Sequence, residues 1–433
     1  MVRLWIIGIF SIALGGYAQN ITKTFPLKWK SKIGVTTYRT NIIEENGFIY
    51  VGSNGENTSS DDDALDGVYK IDAKTGKLNH HYQAQILGDN DVTGIALKDG
   101  SIYFGTDNYY FYCFDEKSGE EKWKFNTPYD VESVPVVADL DGDSKMEVIF
   151  CVQHNGVYCL NTEDGSVKWM LDSISSHQGN VAPLVVDCNH DGVLDVVCGF
   201  RGRPNSDKLA GFKMAHYGDY LMALNGKDGM PIWSKPTGAG IHASPFLFEE
   251  SGELRIASLD SYGEFQVLNL DGEEIKNVGF GYNKYMSPVW YNGWLLLSDY
   301  SDYLGDDAFE MQEDGFNKLI KEKSPSYSGS MNGAKSATTL VADILGKGTQ
   351  QFIAVSESGD LYISDKEGNA LKELKFPSGA EATPLIKDVD GDGKLELLIA
   401  SLDGYLYCYE TNSSGEVFYG QFRWSNDNVP NLK

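Results

Sequence analysis

Basic residues are scarce in this chain: 36 Lys and Arg stand against 62 Asp and Glu, a formal net charge of −26. That shortage argues against nucleic acid and anionic membrane surfaces as partners, because both are bound through basic patches that release counterions. Cysteine is also sparse. Cys113, Cys151, Cys159, Cys188, Cys198 and Cys408 contain no CxxC and no adjacent pair, so redox motifs and zinc knuckles are unsupported. Helical periodicity is nearly absent. No nucleophile elbow, phosphate loop or HExxH run occurs, and no catalytic residue is assigned.

Long apolar runs are missing except at the start. Arg3, the apolar stretch Leu4 to Leu14 and the small-residue site Gly16-Tyr17-Ala18 predict a cleaved export signal over residues 1–18. The stretch is too short to span a bilayer comfortably, and no later segment is long and apolar enough. No cysteine follows the site, so a lipid anchor by that route is not expected. A secreted or periplasmic monomer without a transmembrane segment is expected, with residues 19–433 forming one domain.

What is abundant is strand pattern. Runs of alternating or continuous β-branched and aromatic residues recur in units of about 45 residues. Each unit opens with a small residue and Pro or Thr before an apolar strand, as in Val134-Pro135-Val136-Val137, Ala182-Pro183-Leu184-Val185 and Thr383-Pro384-Leu385. Two more strands follow. The unit closes with an Asp/Asn–Gly turn and a strand that often carries Trp, as at Gly119 to Trp123, Gly165 to Trp169 and Gly229 to Trp233. Four antiparallel strands per unit of this length predict an all-β propeller. Eight units are counted, the last at 380–424, with seven blades plus an irregular segment as the alternative. Pro26 to Lys30 reads as a further outer strand that seals the ring beside the last unit, which removes an exposed sheet edge. Cys113, Cys159 and Cys408 hold one place in three units and suit small buried hydrophobes. Pairing of Cys151 with Cys159, or Cys188 with Cys198, across a hairpin is left open.

Three acidic loops share one spacing. Asp139, Asp141, Asp143 and Glu147 occupy positions 1, 3, 5 and 9 of the first; Asp187, Asn189, Asp191 and Asp195 those of the second; Asp388, Asp390, Asp392 and Glu396 those of the third. Alternate residues of a tight turn converge, and calcium takes six to eight oxygen ligands, so three such loops in register predict calcium as cofactor. The carbonyls at position 7, on Lys145, Val193 and Lys394, are expected to complete each cage. Metal-free Asp/Gly turns are the alternative.

The Asp-x-x-x-Gly-x-x-x-Trp closing strands, as in Asp115 to Trp123, resemble those of quinoprotein-type (PQQ-like) propellers, which include periplasmic outer-membrane assembly scaffolds. The Asp-x-Asp-Gly-Asp-x-x-x-Glu loops are similar to FG-GAP/VCBS repeats, in which such loops bind calcium. This resemblance implies the fold; it leaves function open.

The acidic loops join first to second strands and so lie on one face. Long insertions lie on the other, at Ser53 to Gly67, Gly199 to Tyr220 and Ser298 to Ala308. Arg201, Arg203, Lys213, His216, Tyr217, Tyr220, Tyr300 and Tyr303 are expected there as a surface for a protein or glycan. The reading is an exported, non-catalytic binding scaffold with structural calcium. A polysaccharide lyase on a calcium propeller, needing a base and a neutralising cation, and a PQQ-dependent dehydrogenase are the alternatives. The second has no adjacent cysteine pair in its favour.

Overall fold

The computed structural model describes residues 19–56, 63–84, 88–172, 182–200, 219–279, 287–291, 294–297, 307–312, 315–317, 337–366, 369–423, 425, 426 and 428. Residues 1–18 lie outside this set, as does the expected export signal.

Eight antiparallel units follow one another among the described residues: seven four-stranded sheets and one of six strands. The third is representative. Val136–Ala138, Glu147–Val152, Gly156–Asn161 and Val167–Asp172 form a meander whose first strand is buried and whose fourth is partly exposed. First strands of neighbouring sheets approach one another, which places them around the axis, whereas fourth strands form the rim. Middle strands are apolar on both faces because each sheet packs against two others. Glu147–Val152 and Asp195–Phe200 are buried along their whole lengths.

The last sheet is completed from the other end of the sequence. Leu385–Lys387, Glu396–Ser401 and Tyr405–Glu410 take Leu27–Lys32 as their fourth strand, with Trp29 paired to Cys408. The expected sealing strand is therefore present, and it closes the ring. In the seventh sheet, Gln19–Asn20 adds in parallel to the outer strand Ala370–Lys375.

One contact recurs between blades. The indole N–H of Trp29 donates to the Ala73 carbonyl at 2.8 Å, Trp123 to Thr162 at 2.9 Å, Trp169 to Gly226 at 2.7 Å and Trp233 to Leu270 at 2.8 Å. Each carbonyl belongs to the next blade. Each ring also lies on a turn glycine of that blade. Gly165, at φ +72°, would place a Cβ 2.6 Å from the Trp123 ring, and Gly229, at φ +73°, one 2.5 Å from Trp169. These turns need glycine twice, for the positive φ and for the ring above it. The first sheet has His80 at this place, against Gly119.

The axis is filled by the chain itself. The eighth repeat was read as extending to residue 424, but its outer strand comes from Leu27–Lys32, which frees the segment after Glu410 to turn inward. Val417–Tyr419 pairs with the first strand of the seventh sheet, Leu340–Ala342, and Ile386 N–H donates to the Gly420 carbonyl at 2.7 Å. The buried Arg423 guanidinium then donates to the carbonyls of Pro183 and, at 2.7 Å, Pro245. Asn428 Nδ2 donates to Ile95 O at 2.9 Å and Pro135 O at 2.8 Å, and Asn426 Nδ2 to Glu44 O at 3.1 Å. These carbonyls lie on or just before first strands of the first to fifth sheets. The segment thus ties seven of the eight blades together at the hub. Burial lowers the Arg423 guanidinium to a pKa of about 10.

Candidate metal centres

Each acidic loop is organised by its own carboxylates. Asp139 accepts N–H bonds from Gly142 at 2.7 Å and Ser144 at 2.9 Å; Asp388 accepts from Gly391 at 2.8 Å and Gly393 at 3.0 Å; Asp187 accepts from Asp191 at 3.1 Å and Gly192 at 2.9 Å. The position 5 carboxylates accept from position 7: Lys145 to Asp143 at 2.8 Å, Val193 to Asp191 at 3.0 Å and Lys394 to Asp392 at 2.8 Å. Position 9 reaches back beneath the loop. Glu147 accepts from Leu140 at 2.8 Å, Glu396 from Val389 at 3.0 Å and Asp195 from Cys188 at 2.9 Å.

In two loops the acids of positions 1, 3 and 9 converge, whereas the position 5 acids expected with them, Asp143 and Asp392, are not part of either group. Oxygens of Asp139, Asp141 and Glu147 lie within 4.8 Å of one another, as do those of Asp388, Asp390 and Glu396. A carboxylate oxygen carries two lone pairs, so an N–H bond does not prevent it from ligating a cation. The donor set fits a hard cation.

Both of these loops also receive an ammonium group that the sequence reading did not anticipate. Lys168 Nζ contacts Asp141 and lies 2.7 Å from Glu147; Lys28 Nζ lies 2.8 Å from Asp390, 2.7 Å from Glu396 and 3.2 Å from Glu410. Each lysine precedes the docking tryptophan on an outer strand, and that shared Lys-Trp step is the signal that would have found it. Burial pushes Glu147 and Glu396 upward in pKa against the pull of these ammonium groups. Burial likewise opposes the charge on Lys168 and Lys28, yet the surrounding carboxylates outweigh it and hold both above their ordinary value.

The second loop differs. Asp195 is one methylene shorter, and it accepts Gly226 N–H at 3.1 Å on its other oxygen. Its outer strand offers Ile232 where the others have lysine, and Lys227 reaches only the exposed side of Asp191, at 3.2 Å.

A fourth copy of the loop lacks the sequence signal because it keeps an acid only at position 1. Asp343 holds position 1, Leu345, Lys347 and Gly348 hold positions 3, 5 and 6, and Gln351 position 9. Asp343 accepts from Lys347 N–H at 2.8 Å, Gly348 N–H at 2.7 Å and Gln351 Nε2 at 2.8 Å, while Leu345 N–H donates to Gln351 Oε1 at 2.9 Å. The same turn therefore closes with an amide in place of an acid, and its shape does not depend on a cation.

The opposite face is only partly described. Arg201, Arg203, Lys213, His216, Tyr217, Tyr300 and Tyr303 lie outside the described residues. Tyr220 was expected on this surface, but it is buried against Phe200, ring centroids 5.5 Å apart, because its strand is an inner one. Tyr109 and Tyr262 are exposed. Toward the first three blades the face is acidic. Burial, with Asp89 adding repulsion, raises Asp91 to about 8; burial, with Glu132 adding, raises Asp107 to about 9 and Asp130 to about 6. Arg39 meets Glu132 at 2.7 Å.

All six cysteines are free and buried. Neither hairpin pairing forms: the register sets Cys151 opposite Val157, Cys159 opposite Ile149 and Cys198 opposite Met222. Cys113, Cys159 and Cys408 instead face Trp123, Trp169 and Trp29 across the strand, as small residues beneath large rings.

Comparison with known proteins agrees with this architecture. Residues 139–198 match the FG-GAP-like repeat. The outer membrane protein assembly factor BamB of Yersinia pestis is 22% identical over 270 residues, 54% of this chain and 64% of that protein. The quinoprotein alcohol dehydrogenase PedE of Pseudomonas putida is 29% identical over 121 residues, 28% of this chain and 18% of that protein. The chain thus spans less than two thirds of these curated relatives. Among solved structures, BamB from Moraxella catarrhalis superposes with a TM-score of 0.58 at 13% identity, covering 89% of this chain and 99% of that one. The quinohemoprotein alcohol dehydrogenase of Comamonas testosteroni gives 0.59 at 16% identity, covering 90% and 77%. With its four-stranded blades, docking tryptophans and acidic loops, the chain is a β-propeller repeat protein similar to PQQ-like propellers, with an FG-GAP-like repeat matched at residues 139–198.

Proposed function

We propose that this protein is an exported binding scaffold that engages a protein partner through the insertion-bearing face, with calcium trimming the acidic loops of the other face. The observation that carries the reading is the filled hub. A planar cofactor needs an enclosed cavity, and a propeller offers its central channel. Here Tyr419, Arg423 and Asn428 occupy that space: the Arg423 and Asn428 side chains donate to the chain's own carbonyls, and Arg423 N–H donates to the Tyr419 hydroxyl at 3.2 Å. The residues at the axis therefore do not fit a quinone. Similarity to an assembly factor over most of the fold favours a protein over a glycan as partner, and it favours the periplasm as the compartment.

Calcium fits the loops by donor type: Asp139, Asp141, Asp143 and Glu147 in the first, Asp187, Asn189, Asp191 and Asp195 in the second, and Asp388, Asp390, Asp392 and Glu396 in the third. In the first and third it competes with Lys168 and Lys28.

Two measurements test this. Purified protein supplied with the quinone and calcium is assayed for dye-linked oxidation of ethanol, and oxidation above the protein-free rate refutes the scaffold reading. Crosslinking in envelope extract, followed by identification of the crosslinked partner, is then repeated with Tyr109→Ala and Tyr262→Ala. Loss of one defined partner supports the reading, and capture unchanged by both substitutions places binding elsewhere.

A further inference from the structure

A second kind of acidic cluster lies on the opposite face from the loops, where the first blade meets the second. Asp66 begins the third strand of the first sheet, Asp66–Asp72, and Asn54 ends the second, Phe48–Asn54. Asp89 and Asp91 lie on the connection to the second sheet, which Val92 N–H pins to the Ser53 carbonyl at 3.0 Å. One carboxylate oxygen from each of Asp66, Asp89 and Asp91 lies within 4.8 Å of the other two. Asp66 is 1% exposed, Asp91 4% and Asn54 4%.

An independent observation points to a cation as ligand. Asn54 Nδ2 donates to Asp91 Oδ2 at 2.9 Å, which seats the amide at the cluster. Its other polar atom, Asn54 Oδ1, is buried and accepts no hydrogen bond among the described residues, and the same holds for Asp91 Oδ1. Buried oxygens are nearly always satisfied. Here the amide and the acid present lone pairs that a single hard cation would serve together. The donors are all oxygen, with no nitrogen or sulfur, which selects a hard cation over zinc or copper.

We infer that Asn54, Asp66, Asp89 and Asp91 form a calcium site that clamps the first blade to its connection with the second. Calcium accepts carboxylates and amide carbonyls together and completes its shell with water at the open side. The clamp is separate from the acidic loops in sequence, in face and in ligands, so it stands or falls independently of them.

Calcium binding to the chelator-stripped full-length protein is measured by calorimetry for the wild type, for Asp66→Asn/Asp91→Asn and, as a loop control, for Asp388→Asn/Asp390→Asn. The first variant is expected to lose one equivalent of bound calcium while leaving the loop equivalents in place. An unchanged stoichiometry in folded variant protein overturns the site. If that variant does not fold, long-wavelength anomalous diffraction from wild-type crystals grown with calcium chloride decides. A peak about 2.3–2.6 Å from oxygens of Asp66, Asp89 and Asp91 supports the site, and no peak there overturns it.

Discussion

Lys28 Nζ lies 2.7 Å from the carboxylate of Glu396, whose side chain is fully buried, and Lys168 repeats that contact with Glu147 at the same distance. Lys28 lies near the start of the sequence and Lys168 in its third unit, yet each stands one residue before a docking tryptophan. An ammonium group held at this spot serves as a tethered cation for the loop. Removing one partner of a buried ion pair leaves an uncompensated charge, at a cost of about 3–5 kcal/mol. Lys28→Met should therefore lower the melting temperature in chelator, and added calcium should restore more stability in the variant than in the wild type. Calorimetric melting with and without calcium checks this. Equal calcium responses in the two proteins would show that ion and lysine do not share one place.

The tryptophan docks make a second prediction. Gly165→Ala adds a methyl 2.6 Å from the Trp123 ring at a backbone φ of +72°. Strain and overpacking act together, so a loss of about 2–4 kcal/mol is expected in urea denaturation. Trp169→Phe removes the donor to the Gly226 carbonyl and should cost about 1–3 kcal/mol for the orphaned acceptor, plus a cavity term. Gly100→Ala, where the added methyl meets nothing within 4 Å, shares the positive φ of +70° and separates the backbone cost from the steric one.

The fold was legible because its signals are local and repeated. Pro135, Pro183 and Pro245 stand immediately before first strands, the Gly–Trp spacing marks the outer strand, and period-two or continuous apolar runs mark the strands between. Leu27–Lys32 was readable as a sealing strand because Trp29 copies Trp123. The acidic loops were readable from oxygen spacing alone. Their lysines are marked only by the Lys-Trp step, which does not say what each meets: Lys28 and Glu396 are 368 residues apart and come together only when the ring closes. The hub was hidden for the same reason. Nothing local distinguishes Arg423 or Asn428 from surface polar residues, and their partners are backbone carbonyls that no side-chain pattern reveals. The clamp at Asp66, Asp89 and Asp91 lacks any regular spacing, since it gathers a strand start and a connection.

Arg423 supports the third prediction. Its planar fork donates to the Pro183 and Pro245 carbonyls from two nitrogens, a geometry that an ammonium group does not reproduce. Arg423→Met orphans both acceptors, each at about 1–3 kcal/mol, against a partial gain from no longer burying a charge. A net loss is expected in chemical denaturation. Arg423→Lys should fall between wild type and Met, whereas recovery to wild-type stability would show that charge rather than the fork matters at the hub.

Glu381 gives a pH dependence. Burial, with Glu357 adding repulsion, raises its carboxyl from the usual 4.5 to about 6 in the folded protein. The folded state therefore holds a proton that the unfolded chain has already released between about pH 4.5 and 6. Stability from this group is intact below 4.5, falls as pH rises through that window and stays lost above it. One pKa unit corresponds to about 1.36 kcal/mol, so the full effect is about 2 kcal/mol, reduced to about 1 kcal/mol by solvent screening at a partly exposed site. Glu381→Gln keeps the shape without the charge. It should be close to neutral at pH 4 and stabilising at pH 8, as read from urea midpoints at both values. A gain of equal size at the two pH values would mean that the carboxylate's ionisation is not the source.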